Sequence, residues 1–202
     1  MEANRIETLA VDAALGLAGE RTWSEVTLGD IAARAGLSLA RLYGVLPSTS
    51  AVVDAFWRRV DVEMLNYVED LDTEDNELDK LFDTIMARFE ALESYRPAVR
   101  SIYDGLRRDP LSWLALRRSF WRSMNALIDA SGLSTEPSHR LLGSRLIVWV
   151  WLRTFSVWLD DDPRELAKTM AAVNAELRRL QRLTSFCRGT TAATLPSSES
   201  TA

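Results

Sequence analysis

The sequence predicts an all-α fold of about nine helices, with a helix-turn-helix domain over residues 1–47 and a larger helical domain over residues 48–188. Three observations carry that expectation. Apolar residues recur three and four apart over most of residues 4–187. No stretch alternates apolar and polar residues for long enough to make a strand, and no internal repeat divides the chain. Glycine, proline and serine fall between the periodic stretches, where they end one helix and start the next.

The first helix is expected over residues 4–20, with Ile6, Leu9, Ala10, Ala13, Ala14 and Leu17 as its apolar stripe. Gly19, Glu20 and Arg21 end it, and Trp23 and Val26 are expected as core beneath the helices that follow. Thr27 can cap a helix whose apolar positions are Leu28, Ile31, Ala32 and Ala35. Gly36 then supplies a left-handed turn. Ser38 caps the next helix, in which Leu39, Leu42 and Tyr43 share a face. This is the layout of a helix-turn-helix, with residues 38–45 in the recognition position.

From Ser48 a longer helix is expected to about Asp70, with Val52, Val53, Phe56, Val60 and Leu65 in register. Residues 71–77 read as an acidic linker. The period resumes over 78–93 through Leu81, Phe82, Ile85, Phe89 and Leu92. Pro97 and Pro110 each open a further helix, the second after the turn at residues 107–109. That second helix carries Leu111, Trp113, Leu114, Leu116, Phe120, Trp121 and Met124, and Gly132 closes it. After a loop over 132–137, a helix is expected over 138–159. Asp162 is expected as the cap of the last helix, with Pro163 at its first position and its end near Cys187. Residues 189–202 are rich in Ser and Thr and are expected as a disordered tail.

Composition is that of an ordinary globular chain: 47% hydrophobic and 26% charged over 202 residues. With a net charge of −5 there is no global attraction to nucleic acid or to an anionic membrane. Residues 1–60 hold Arg5, Arg21, Arg34, Arg41, Arg58 and Arg59 against Glu2, Glu7, Asp12, Glu20, Glu25, Asp30 and Asp54, so acids prevail by one. A phosphate-binding domain normally carries a basic footprint, though an acidic total can hide a basic face. Cys187 is the sole cysteine, which excludes an intrachain disulfide and fits the cytoplasm. Charged residues 2–7 argue against a signal sequence. The longest apolar run, 146–152, stops at Arg153, too short to span a bilayer. His139 is the sole histidine, and it shares no element with Cys187. Asp160, Asp161 and Asp162 read as a solvated turn. The expectation is therefore no enzyme, no metal and no cofactor.

Thr27, Ile31, Ala32, Ala35, Gly36, Ser38, Leu42, Tyr43, Pro47 and Ser48 match a pattern T-x-x-x-I-A-x-x-A-G-[VL]-S-x-x-x-L-Y-x-x-F-P-S-K-x-x-L. In this the chain resembles TetR-type transcriptional regulators. It departs from the pattern at Leu46, where an aromatic is usual, and at Thr49, where a Lys would hold phosphate at a helix N-terminus. Gly44 and Val45 stand where bulkier polar residues are common. The departures are expected to fall where DNA would be touched.

The resemblance implies a homodimer paired through its last two long helices, binding a double-stranded DNA operator as a ligand-responsive regulator, a repressor. Ser38, Leu39, Ala40, Arg41 and Tyr43 would present the reading face, with Ser48 and Thr49 near phosphate and Thr27 a further DNA-binding candidate. A small hydrophobic ligand would bind in the C-terminal domain, with Tyr103, Trp113, Phe120, Trp121, Trp151 and Phe155 as candidate lining. The same aromatics could equally form ordinary bundle core. The stretches 152–161 and 168–172 also resemble the C-terminal segment of the TetR-like lipid-binding accessory proteins of coenzyme Q biosynthesis. That second resemblance implies an alternative: a lipid carrier that has lost operator binding. Arg178, Arg179, Arg182 and Arg188 against Leu177, Leu180, Leu183 and Phe186 would give its final helix a peripheral membrane contact or a dimer face.

Overall fold

The computed structural model describes residues 1–69, 77–132, 137–162 and 165–192. Among these, nine α-helices and one 3-10 turn follow in order. They are α1 (Glu2–Glu20), the turn (Trp23–Glu25), α2 (Leu28–Arg34), α3 (Leu39–Val45), α4 (Thr49–Glu69), α5 (Glu77–Glu93), α6 (Arg96–Arg108), α7 (Pro110–Ala130), α8 (Pro137–Leu159) and α9 (Ala167–Ala192). The fold is all-helical. Most of the expected linker over 71–77 and loop over 132–137, and the expected tail over 189–202 past Ala192, lie outside the described residues; residues 189–192 continue α9 as helix, past the expected end near Cys187.

Local chemistry sets most of these boundaries. Gly36 and Gly132 adopt φ of 66° and 65°, the left-handed turn that ends α2 and α7 without a Cβ clash. Pro97 and Pro110 occupy the first turns of α6 and α7, where a missing N–H removes no helical bond. Asp109 caps α7 by accepting the N–H of Leu111 at 3.0 Å.

By its contacts the chain divides into residues 1–144 and residues 145–202. In the first body α4 packs against α1, α5 and α7, while α1 packs against α2, α3, α4 and α6. Val52, Phe56, Val60 and Met64 of α4 are buried, as are Leu81, Ile85, Phe89 and Leu92 of α5. Each such side chain contributes roughly 1.5–3 kcal/mol by leaving water. Trp23 is core as expected, but its seat is on α6. Its backbone N–H donates to Ser101 Oγ at 2.9 Å, and that hydroxyl donates to the Arg21 carbonyl at 3.1 Å. A Cβ on Gly105 would lie 3.2 Å from the indole, so the bare backbone there makes room for the ring.

In the second body Val150, Trp151, Trp158, Val173 and Leu177 are buried, and Arg153 Nε donates to Glu176 at 2.9 Å, tying α8 to α9. The cap of α9 is Asp161 rather than Asp162. Asp161 Oδ2 accepts the Thr169 N–H at 2.7 Å and the Thr169 hydroxyl at 2.8 Å. The reason is where the helix begins: at Ala167, after Leu166 at φ 47°, well past Pro163. The carboxylate reaching the third helical N–H is then Asp161. Burial works to raise its pKa, but the Thr169 bonds outweigh it and hold the carboxyl below its usual range.

Candidate nucleic-acid interface

The α2–turn–α3 unit is built from a small apolar interior and two capped ends. Ile31, Ala32, Leu42 and Leu46 are buried. Thr27 and Asp30 form a reciprocal capping box at α2: the Asp30 N–H donates to Thr27 Oγ1 at 3.1 Å, and the Thr27 N–H donates to Asp30 Oδ2 at 2.9 Å. Ser38 caps α3 by accepting the Arg41 N–H at 3.3 Å. These caps fix where α3 starts and which side faces outward.

Ser38, Leu39, Ala40, Arg41, Tyr43 and Gly44 face solvent. Leu39 and Tyr43 are 51% and 60% exposed, so of the three residues that the spacing put on one face only Leu42 is buried. A seven-residue helix buries only a narrow stripe, and Leu42 fills it with Leu46 just beyond the helix end. Leu46 is also a correction. At 3% exposure it is interior, so its departure from an aromatic concerns packing and not contact with DNA.

The remaining candidates differ in what their polar groups are already doing. The Thr27 hydroxyl donates to Asp30 Oδ2 at 2.6 Å, so both of its roles are taken by the capping box. Ser48 Oγ accepts the Ala51 N–H at 3.1 Å, and Thr49 is half-buried at the first residue of α4. Hydrogen bonds from Thr27, then from Arg21, hold Asp30 down to about 2, against an ordinary value of 3.8.

The N-terminal arginines are matched with carboxylates. Arg41 pairs with Glu2 at 2.7 Å, Arg58 with Glu7 at 2.9 Å, and Arg59 with Asp12 at 2.6 Å. Arg34 pairs with Glu20, and Arg21 with Asp30 at 2.9 Å. Four of these acids come from α1, which lays a row of carboxylates along the arginines of α2, α3 and α4. Among the described residues Arg5 alone of the six has no carboxylate partner. Counting charges along the chain could not show these pairings, which join residues 9 to 51 positions apart.

Ring contacts among the candidate ligand-lining aromatics run within α7 and within α8. Trp113 meets Phe120 edge-on at 5.8 Å, and Phe120 meets Trp121 at 6.1 Å, all on α7. Trp151 and Phe155 lie 5.7 Å apart on α8, in the other body. Tyr103 carries the Arg107 guanidinium 5.6 Å over its ring. An open cleft of about 720 Å³ runs along α7 beside Trp121, and arginines 117, 118 and 122 line it. The second motif has a structural role: Thr154, Trp158, Asp161 and Thr169 are all buried, and Asp161 with Thr169 closes the α8–α9 corner.

One cluster escaped the sequence reading. Arg88 of α5 is buried, donating from Nη1 to Asp61 Oδ1 of α4 at 2.8 Å and from Nη2 to Ser123 Oγ of α7. The Ser123 hydroxyl donates in turn to Asp61. Burial pushes the Arg88 guanidinium pKa down, and the Asp61 carboxylate opposes it. The available signal was Asp61 and Arg88 sitting inside apolar stripes, between Val60 and Met64 and between Ala87 and Phe89.

No protein-family model and no curated protein matches this sequence. Solved structures do match. A TetR transcriptional regulator from Nitrosomonas europaea ATCC 19718 superposes with a TM-score of 0.70 at 22% identity, over 86% of this chain and 96% of that one. A TetR transcriptional regulator from Rhodococcus sp. RHA1 gives 0.66 at 16% identity, over 89% and 97%. At these identities the likeness establishes the fold: this chain has the architecture of those regulators.

Proposed function

We propose that this chain is a ligand-responsive DNA-binding transcriptional regulator, acting as a repressor in the form of a cytoplasmic homodimer. The observation that carries this is the outward face of α3, capped by Ser38 and seated on Leu42, with Ser38, Leu39, Ala40, Arg41 and Tyr43 in solvent. Residues at the start of a recognition helix are those that meet base edges in the major groove. Two copies, paired through the C-terminal helices, present two such faces to successive grooves of a near-palindromic operator. Arg41 exchanges Glu2 for a base or phosphate on binding; Ser48 and Thr49 lie beside the backbone.

The route for a ligand signal is α4. Its 21 residues span about 30 Å. At one end it carries the helix-turn-helix, and farther along it is pinned to α5 and α7 by Asp61, Arg88 and Ser123. A hydrophobic ligand that binds one arrangement of these helices more tightly than another shifts the tilt of α4, and with it the spacing of the two reading faces.

Pull-down of sheared genomic DNA by the purified protein across a salt series tests this. A few discrete fragments, lost steeply as salt rises, are expected from phosphate-held specific binding. Recovery of nothing above background at low salt overturns it. The paired arginines favour a second reading, a lipid carrier of the coenzyme Q accessory type whose N-terminal charges no longer serve DNA. Organic extraction of the purified protein separates the two, because a carrier releases an isoprenoid or acyl lipid.

A further inference from the structure

The corner where α6 meets α7 gathers large apolar side chains in solvent. Leu111, Trp113, Leu114 and Trp121 are exposed at 76%, 48%, 61% and 40%. Leu111, Leu114, Arg118 and Trp121 follow at intervals of three and four, so they form one stripe of α7. Leu116, Ser119, Ser123 and Leu127 lie buried on the other side of the helix. Single exposed leucines are ordinary, but a contiguous patch marks an interaction surface. Arg107, Arg108, Arg117 and Arg118 surround it and are exposed. The acids nearby are Asp104, one turn back on α6, Asp109, and Asp129 at the far end of the cleft that Arg117, Arg118 and Trp121 line. The Asp109 carboxylate is engaged by the Ser112 hydroxyl and the Leu111 N–H, which hold it below its usual range.

We propose that this corner docks on an anionic lipid surface. Leu111, Leu114 and Trp121 enter the boundary between headgroups and acyl chains, and the four arginines meet the lipid phosphates. Leucine and tryptophan beside arginine is the composition of a helix that lies in a membrane interface, where long cationic side chains bury their stems and keep their heads at the phosphates. Charge decides between this occupant and a second copy of the chain. A two-fold contact through the stripe would press Arg117 and Arg118 toward the same arginines of the partner, desolvated and with like charge. An anionic surface neutralises them. The inference stands apart from the DNA-binding proposal and uses none of its residues.

Co-sedimentation of the full chain with vesicles tests it, using phosphatidylcholine alone and phosphatidylcholine mixed with phosphatidylglycerol. Binding is expected to the anionic vesicles and to weaken as salt rises. Arg117→Ala and Arg118→Ala are each expected to lower partition about fivefold. Leu114→Ser with Trp121→Ser is expected to remove most of what remains. If that pair lowers helix content by circular dichroism, Leu111→Ser at the most exposed position carries the same test. Equal binding to neutral vesicles, no binding at all, or binding indifferent to these variants overturns the proposal. So does a change in self-association by sedimentation velocity with no vesicle binding, which would make the stripe a contact between copies.

Discussion

Two arginine–carboxylate pairs in the first body have nearly the same length and opposite surroundings. Arg41 and Glu2 meet at 2.7 Å with their side chains 55% and 75% exposed. Arg88 and Asp61 meet at 2.8 Å at 2% and 9%. Contact distance therefore says little about what a pair does; burial decides. In water the gain from an ion pair is about 0–1 kcal/mol, so Glu2 can give up Arg41 to another anion. Inside the α4–α5–α7 packing both charges are out of water, and removing one leaves the other buried without the charge opposite it. One pair is exchangeable, the other is a pin.

The contrast breaks most visibly at the pin. Arg88→Met leaves Asp61 buried without its counter-charge and is expected to cost about 3–5 kcal/mol, read as a lower denaturant midpoint with unchanged slope. Replacing Asp61 with Leu in the same chain should recover most of that loss, because two apolar groups need no partner. A double variant as unstable as the single one would show that the pair is not what holds these helices. Next in size, Thr27→Ala removes the α2 cap and should cost about 1 kcal/mol in the same measurement.

Acid acts on the same cap. Asp30 is held at about 2 against an ordinary 3.8, so its ionised form is favoured by folding. Its contribution is complete above 3.8 and is lost as pH falls through about 2. Far-ultraviolet circular dichroism of Asp30→Asn should lose part of the wild-type acid sensitivity in that window; an unchanged profile would assign the sensitivity elsewhere. The smallest effect belongs to the exchangeable pair. Glu2→Gln should move stability by no more than about 1 kcal/mol. A larger loss would mean that the Arg41 pair is structural after all.

Helix starts and stops were legible where one residue type has one backbone use. Gly36 and Gly132 sit at positive φ, and Pro97 and Pro110 sit in first turns, as their chemistry requires. Ser38 and Thr27 cap the helices they precede for the same local reason. Pairings across the chain were not legible. Arg59 finds Asp12 and Arg88 finds Asp61 only once the tertiary register of α1, α4 and α5 is set. The α9 cap was misplaced by one residue because Asp161 reaches forward eight positions, a distance that no local pattern encodes. On α3, periodicity grouped Leu39 and Tyr43 with Leu42, and only packing could show which of them α1 and α2 leave uncovered.

On the proposed function, the outward face of α3 binds DNA by trading Glu2 for a nucleic-acid anion at Arg41. Fluorescence anisotropy on a fragment recovered from the genomic pull-down tests it directly, with the wild type, Arg41→Ala and Glu2→Gln titrated over a salt series. Arg41→Ala is expected to weaken binding about tenfold, with a shallower salt slope if the contact is to phosphate. Glu2→Gln, which frees Arg41, should tighten binding. Affinities and salt slopes equal to wild type for both variants would contradict it.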